Sequence, residues 1–140
     1  MEFLVERSKI IEEARSWIGT RYHHQQSVKG VGCDCVGLVR ACGNLVGIKY
    51  VEDWNYARTP DPPTMLRLLD KYLVKKSVTT MKPGDVICFR VQEDPCHLAI
   101  FTGTGIIHAY AKTVKKVIEQ ELTPYWLERI VRVYKFPGID

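Results

Sequence analysis

GCDCVGLVR, residues 32–40, decides how the rest of this chain is read. A glycine and two cysteines split by Asp34 run straight into the pattern of one helical face. Counting from Cys35, apolar residues follow at Leu38, Val39, Cys42, Leu45 and Val46. The spacing predicts a helix that opens at Cys35 and stops at Gly47. Cys35 then sits in the first turn, where unpaired backbone N–H groups and the positive end of the helix dipole favour a thiolate over a thiol. A thiolate is the nucleophile of cysteine enzymes, and it needs a base from elsewhere in the chain.

Upstream, residues 2–18 show a second amphipathic pattern, with Ile10, Ile11, Ala14, Trp17 and Ile18 on one face and Gly19 at its stop. TRYHHQQSVKGV, residues 20–31, is polar and glycine-punctuated and predicts a loop leading into the Cys35 helix. Downstream, the proline-rich segment 52–63 predicts an irregular surface connection. Its Trp54 and Tyr56 suit a docking patch, a lid over a cleft, or packing back onto the core. A helix is expected over 64–74, burying Met65, Leu68, Leu69 and Tyr72.

From Lys82 onward the period changes from helical to strand-like. Pro83-Gly84-Asp85 predicts a turn and 86–90 a strand. Residues 97–102 and 105–110 predict a hairpin around Gly103-Thr104. Residues 114–121 and 130–136 predict two further strands, with a corner at 124–128. Helices followed by an antiparallel sheet make the expected fold class α+β, as one domain over 1–140.

Composition narrows the function classes. Hydrophobic residues at 46% and charged residues at 26% are ordinary for a globular protein, and no apolar run reaches the length of a membrane span. MEFLVERSK carries Glu2 and Glu6 within the first nine residues, so no Sec signal peptide is read there. Synthesis in a bacterial cytoplasm is expected, with another carrier needed for work outside it. The net charge of +4 comes from Lys and Arg spread along the chain, and no basic stripe interleaves with aromatics, which argues against nucleic acid as partner. Five cysteines, two of them only two positions apart, do not read as a disulfide framework, and reduced thiols are expected.

The candidate base comes from the hairpin. If Thr102 and Gly105 flank a two-residue turn, His97 opposes Tyr110 and Ala99 opposes His108. With a side-chain period of two, His97 and His108 then share a face as diagonal neighbours, one imidazole able to orient the other. Docking Cys35 on that face would complete nucleophile, base and orienter. Cys33, Cys35, Cys96 and His97 make a C-x-C plus C-H set, but it lacks the paired knuckle spacing of structural zinc, so neither metal nor cofactor is expected.

These residues resemble the NlpC-type family of papain-like cysteine peptidases, in particular its small members encoded by phages and phage-like gene transfer particles. WIGTRY at 17–22 is similar to the segment before the active site, and GCDCVGLVR holds the Asp-Cys dipeptide that opens the catalytic helix. KPGDVICF at 82–89 is similar to the turn and strand leading to the histidine, and HLAIFTGTGIIHA at 97–109 to the two-histidine hairpin. Together they span about 90 of 140 residues in the family's order. The resemblance implies a papain-like fold with N-terminal helices on a C-terminal antiparallel sheet. It implies Cys35 as nucleophile, His97 as general base and His108 as the polar third residue, with the Cys35 N–H in the oxyanion hole. Tyr22 would line the cleft, and Asp34 would be the acidic residue before the nucleophile.

The implied substrate is the stem peptide of peptidoglycan, and the implied setting is a phage or phage-like tail or baseplate acting on the periplasm or cell wall. Val36 stands where many members have a serine that in some relatives helps recognise the free amino end of a stem peptide, so that recognition is not implied here. Cys33 has no role in the pattern. The rival readings are a structural tail-tip component that keeps the fold without the chemistry, and a papain-like amidase or acyltransferase.

Overall fold

The computed structural model describes residues 4–48, 62–91 and 94–139. The first helix, α1 (Arg7–Arg15), is shorter than its apolar period. Before it the chain is extended, and Val5 N–H donates to the Gly138 carbonyl at 2.8 Å. The helix ends with Ser16 as its C-cap, and the turns that follow close on Gly19 at φ +93°, a left-handed conformation. Ile10, Ile11, Ala14 and Trp17 are buried as expected, whereas Ile18, beyond the helix, is 47% exposed.

The predicted loop at 20–31 contains more pairing than its polarity suggests. Strands β1 (Ser27–Val28) and β2 (Gly32–Cys33) form a small antiparallel ribbon. Helix α2 (Cys35–Asn44) follows at once, opening at Cys35 as expected and ending three residues before Gly47. The remaining turns close on Gly47 at φ +78°. Helix α3 (Pro62–Tyr72) starts at the Pro62-Pro63 pair, since proline is tolerated in a first helical turn. The predicted helix runs to residue 74, but Val74 belongs instead to β3 (Val74–Lys76), an edge strand paired with residues 133–135. Its three residues are too few to show a period. The expected connection over 52–61, with Trp54 and Tyr56, lies outside the described residues.

The remaining strands are β4 (Val86–Val91), β5 (Asp94–Phe101), β6 (Gly105–Tyr110), β7 (Lys116–Glu121) and β8 (Ile130–Lys135), with the short helix α4 (Pro124–Leu127) at the predicted corner. They form a six-stranded sheet in the order β3-β8-β4-β5-β6-β7, every pair antiparallel. The α+β reading therefore holds.

Alternation sorts the sheet into two faces. Val86, Cys88, Cys96, Leu98, Ile100, Ile107 and Ala109 pack with α1, α2 and α3 in the larger core. Ile87, Phe89, Ala99, Phe101 and Ile106 point the other way, where Trp126 of α4 covers them. Helices α1, α2 and α3 lie on one face, and Trp126 of α4, with Met81, Leu122 and Ile130, packs on the other.

A buried carboxylate ties the start of β4 to two other elements. Asp85 is fully buried and accepts from Arg7 Nη1 and Lys76 Nζ, each at 2.7 Å, and from the Lys82 backbone N–H at 2.8 Å. Arg7 is in α1 and Lys76 in β3, so this one side chain pins helix, edge strand and turn together.

Candidate active site

Asp34 is the N-cap of α2. Its carboxylate accepts from the Gly37 N–H and the Gln25 N–H, both at 2.8 Å, which fixes the helix start against the preceding loop. Gly37 allows that contact: a Cβ there would lie 2.3 Å from the Gln26 carbonyl oxygen. Cys35, the first residue of the helix, is 7% exposed.

WIGTRY serves as the strap that brings this helix start to the sheet. Val117 N–H donates to the Thr20 carbonyl at 2.8 Å, and Tyr22 N–H to the Lys115 carbonyl at 2.8 Å, so the strap lines the outer edge of β7. On its other side the Cys33 N–H donates to the Arg21 carbonyl at 2.9 Å, and Tyr22 bridges Cys33. Lys116 of β7 in turn pairs with Tyr110 of β6. The start of α2 is thus linked, strand by strand, to the sheet end where Tyr110 lies. Tyr22 is half-buried beside Cys33, two residues before Cys35.

The hairpin has the expected register. Ile100 pairs with Ile107 and Phe101 with Ile106, which sets Ala99 across from His108. His97 Nε2 and His108 Nδ1 lie 2.7 Å apart, and His108 Nε2 lies 2.8 Å from Gln120 Oε1 of β7. Both imidazoles are buried, packed among Phe89, Tyr110 and Trp126. Burial among these rings, with the neighbouring His97 adding to it, pushes the His108 pKa down to about 3.

The body of α2 packs on the face of Leu98, Ile100 and Ile107, whereas the imidazoles rise from alternate residues on the Trp126 face. The hydrogen-bonded pairing of β5 with β6 ends at Ile100–Ile107, short of His97 and His108.

The four residues weighed for zinc do not converge. Cys96 directs its sulfur to Cys88, 3.1 Å away in the helix-side core, while the adjacent His97 faces the other way. Cys33 is a buried thiol whose pKa burial, aided by the Asp34 charge, pushes up to about 12, and burial likewise raises that of Cys42. Val36 packs with Val39, Leu68, Leu69 and Leu98 around a small apolar cavity between α2, α3 and β5. Its apolar side chain is explained by that packing.

Residues 19–135 match the model of the NlpC/P60 family. The chain belongs to the NlpC/P60 family. Among solved NlpC/P60 structures, the NlpC/p60 domain of the peptidoglycan hydrolase SagA is 22% identical, with a TM-score of 0.65 over 94% of this chain and 100% of that one. The peptidoglycan hydrolase RipB from Mycobacterium tuberculosis is 19% identical, with a TM-score of 0.63 over 96% of this chain and 65% of that one. A Staphylococcus aureus protein described as similar to lipoprotein, NLP/P60 family, is 19% identical with a TM-score of 0.65, and there the chain covers 96% of itself but 41% of the relative. The chain spans less than half the length of that relative and of two others of the NlpC type. Comparison with curated protein sequences returned no match.

Two residues of the site carry no local signal in the sequence. Gln120 meets His108 only because β6 and β7 pair as they do, across the connection 111–115. Trp126 reaches the imidazoles from a four-residue helix, too short to show a period.

The buried His108 makes a pH prediction. Unfolded, this imidazole takes a proton near its ordinary pKa of 6.5, and folded it refuses one until about 3. Between those values the unfolded chain binds more protons, so stability is lost as pH falls from 6.5 towards 3. The slope from this group is at most about 1.4 kcal/mol per pH unit. Urea midpoints measured between pH 7 and 4 check it, with His108→Asn expected to flatten the slope.

Proposed function

We propose that this chain is a cysteine peptidase that hydrolyses the stem peptide of peptidoglycan, with Cys35 as nucleophile, His97 as general base and His108 as orienter. The observation that carries the reading is the 2.7 Å His97–His108 contact, at the sheet end to which the strap brings the first residue of α2. Family membership supports the chemistry, and the hydrolase names of SagA and RipB support the substrate.

With its Nε2 held by His108, His97 uses Nδ1 to take the Cys35 proton, giving a thiolate–imidazolium pair. The sulfur attacks an amide carbonyl, and N–H groups of the first turn of α2, that of Cys35 included, hold the developing oxyanion. The His97 Nδ1 proton passes to the leaving amine as the C–N bond breaks, leaving a thioester on Cys35. Water then loses a proton to His97 and attacks the thioester, releasing a carboxylic acid and restoring the thiol. Tyr22, beside Cys33, and the Asp34 cap shape the approach. The chemistry uses no cofactor.

Mass spectrometry of purified peptidoglycan treated with the protein tests this. Shortened stem peptides with a new amino terminus on the diamino acid are expected. A freed lactyl group would make the protein an amidase instead, and intact wall in the presence of folded protein would sink both. A phage or phage-like tail as carrier belongs to the same proposal and rests on the likeness of the motifs to small phage-encoded members. Detection of the chain in purified particles checks it.

A further inference from the structure

The polar line through the site does not end at the third residue. We propose that the side-chain carbonyl of Gln120 is a positioning group that fixes the tautomers of both histidines and so decides which nitrogen of His97 acts as base. This rests on the triad proposed above and extends it by one residue.

The argument is a count of protons along two short contacts. Gln120 Oε1 offers only lone pairs, so at 2.8 Å His108 Nε2 must carry the hydrogen between them. A neutral imidazole has one N–H, which leaves His108 Nδ1 as an acceptor. At 2.7 Å that acceptor is met by the N–H of His97 Nε2. His97 Nδ1 is then the nitrogen with a lone pair, as a base requires. Without the Gln120 carbonyl the line runs equally well in reverse: His108 Nδ1 donates to His97 Nε2, His97 carries its hydrogen on Nδ1, and no base faces the thiol.

Two features hold the line in the productive direction. The groups that meet His108 are His97 from β5, Tyr110 on its own strand, Trp126 from α4 and Gln120 from β7. None of them is a carboxylate that would draw a second proton onto the ring. The residues on either side of Gln120 are both glutamates, and alternation turns them away: Glu119 forms a two-pronged pair with Arg15 of α1, both contacts at 2.9 Å. The position that faces the imidazole carries the neutral acceptor.

The ring nitrogens of His97 and His108 in ¹⁵N-labelled protein, read by NMR, test the proposal. In wild type both rings are expected to carry hydrogen on Nε2, with His108 neutral and His97 bearing a second hydrogen on Nδ1 only when it holds the Cys35 proton. Gln120→Leu should leave the backbone spectrum native and mix the tautomers, with kcat on stem-peptide substrate lowered about 10–100-fold and KM little changed. Gln120→Glu keeps an acceptor, so the hydrogen on His108 Nε2 should stay, while the added charge should raise the pH at which His108 takes a second proton. A wild-type His108 protonated on Nδ1, or rings unchanged in Gln120→Leu, would overturn the proposal. The tautomers are read without substrate, so expected tautomers in a protein inert towards wall fragments would sink the peptidase reading and leave the role of Gln120 standing.

Discussion

Cys35→Ala is expected to abolish hydrolysis of peptidoglycan stem peptides, with kcat falling on the order of 10⁴-fold or more, while the protein stays folded. Alanine is the best helix former and removes only a sulfur from the first turn of α2, so the change in stability should stay within about 1 kcal/mol. Asp34, which holds the helix start through Gly37 and Gln25, is untouched. Nucleophile and base act as one unit. Cys35→Ala combined with His97→Ala should therefore lose no more activity than Cys35→Ala alone, and a further loss would mean that the two residues act separately. Turnover by the single variant at more than about one hundredth of the wild-type rate would exclude Cys35 as nucleophile. Product release from purified wall, with folding checked by circular dichroism, makes both comparisons.

The largest stability effect is expected at the other end of the sheet. Asp85→Ala would take from Arg7 and Lys76, whose side chains are 13% and 14% exposed, the buried carboxylate that they share, and strip the Lys82 N–H of its acceptor. Breaking such a buried pair from one side costs about 3–5 kcal/mol. For a domain of this size that lowers the thermal midpoint by roughly 10 °C or more. Asp85 lies beside Phe101, at the opposite end of β5 from His97. Activity per folded molecule should therefore be unchanged well below the midpoint, which separates this residue from the site. A thermal melt within a few degrees of wild type would show that solvent reaches the two cations when the carboxylate is removed.

Much of this was legible in the chain because the relevant signals are local. The start of α2 follows from one helical period beginning at Cys35, and the cap from an aspartate directly before it. The hairpin register follows from a two-residue turn, after which a period of two leaves His97 and His108 no choice but to share a face. The α+β order follows from where the period changes, near Lys82. Each of these depends on residues within about a dozen positions of one another.

What needed the tertiary structure is what joins distant segments. Polarity marked 20–31 as loop, yet its first residues line β7 and carry the start of α2 to the histidine end of the sheet. Both faces of the sheet carry apolar residues, so alternation alone does not tell which one the helices cover. Only packing shows that α2 lies opposite the imidazoles and that Trp126 seals their side. Gln120 and the partners of Asp85 are invisible for the same reason. A hydrogen bond or ion pair across β-strands is set by register over a long connection, and register is decided by which side chains can be buried together, not by any residue alone.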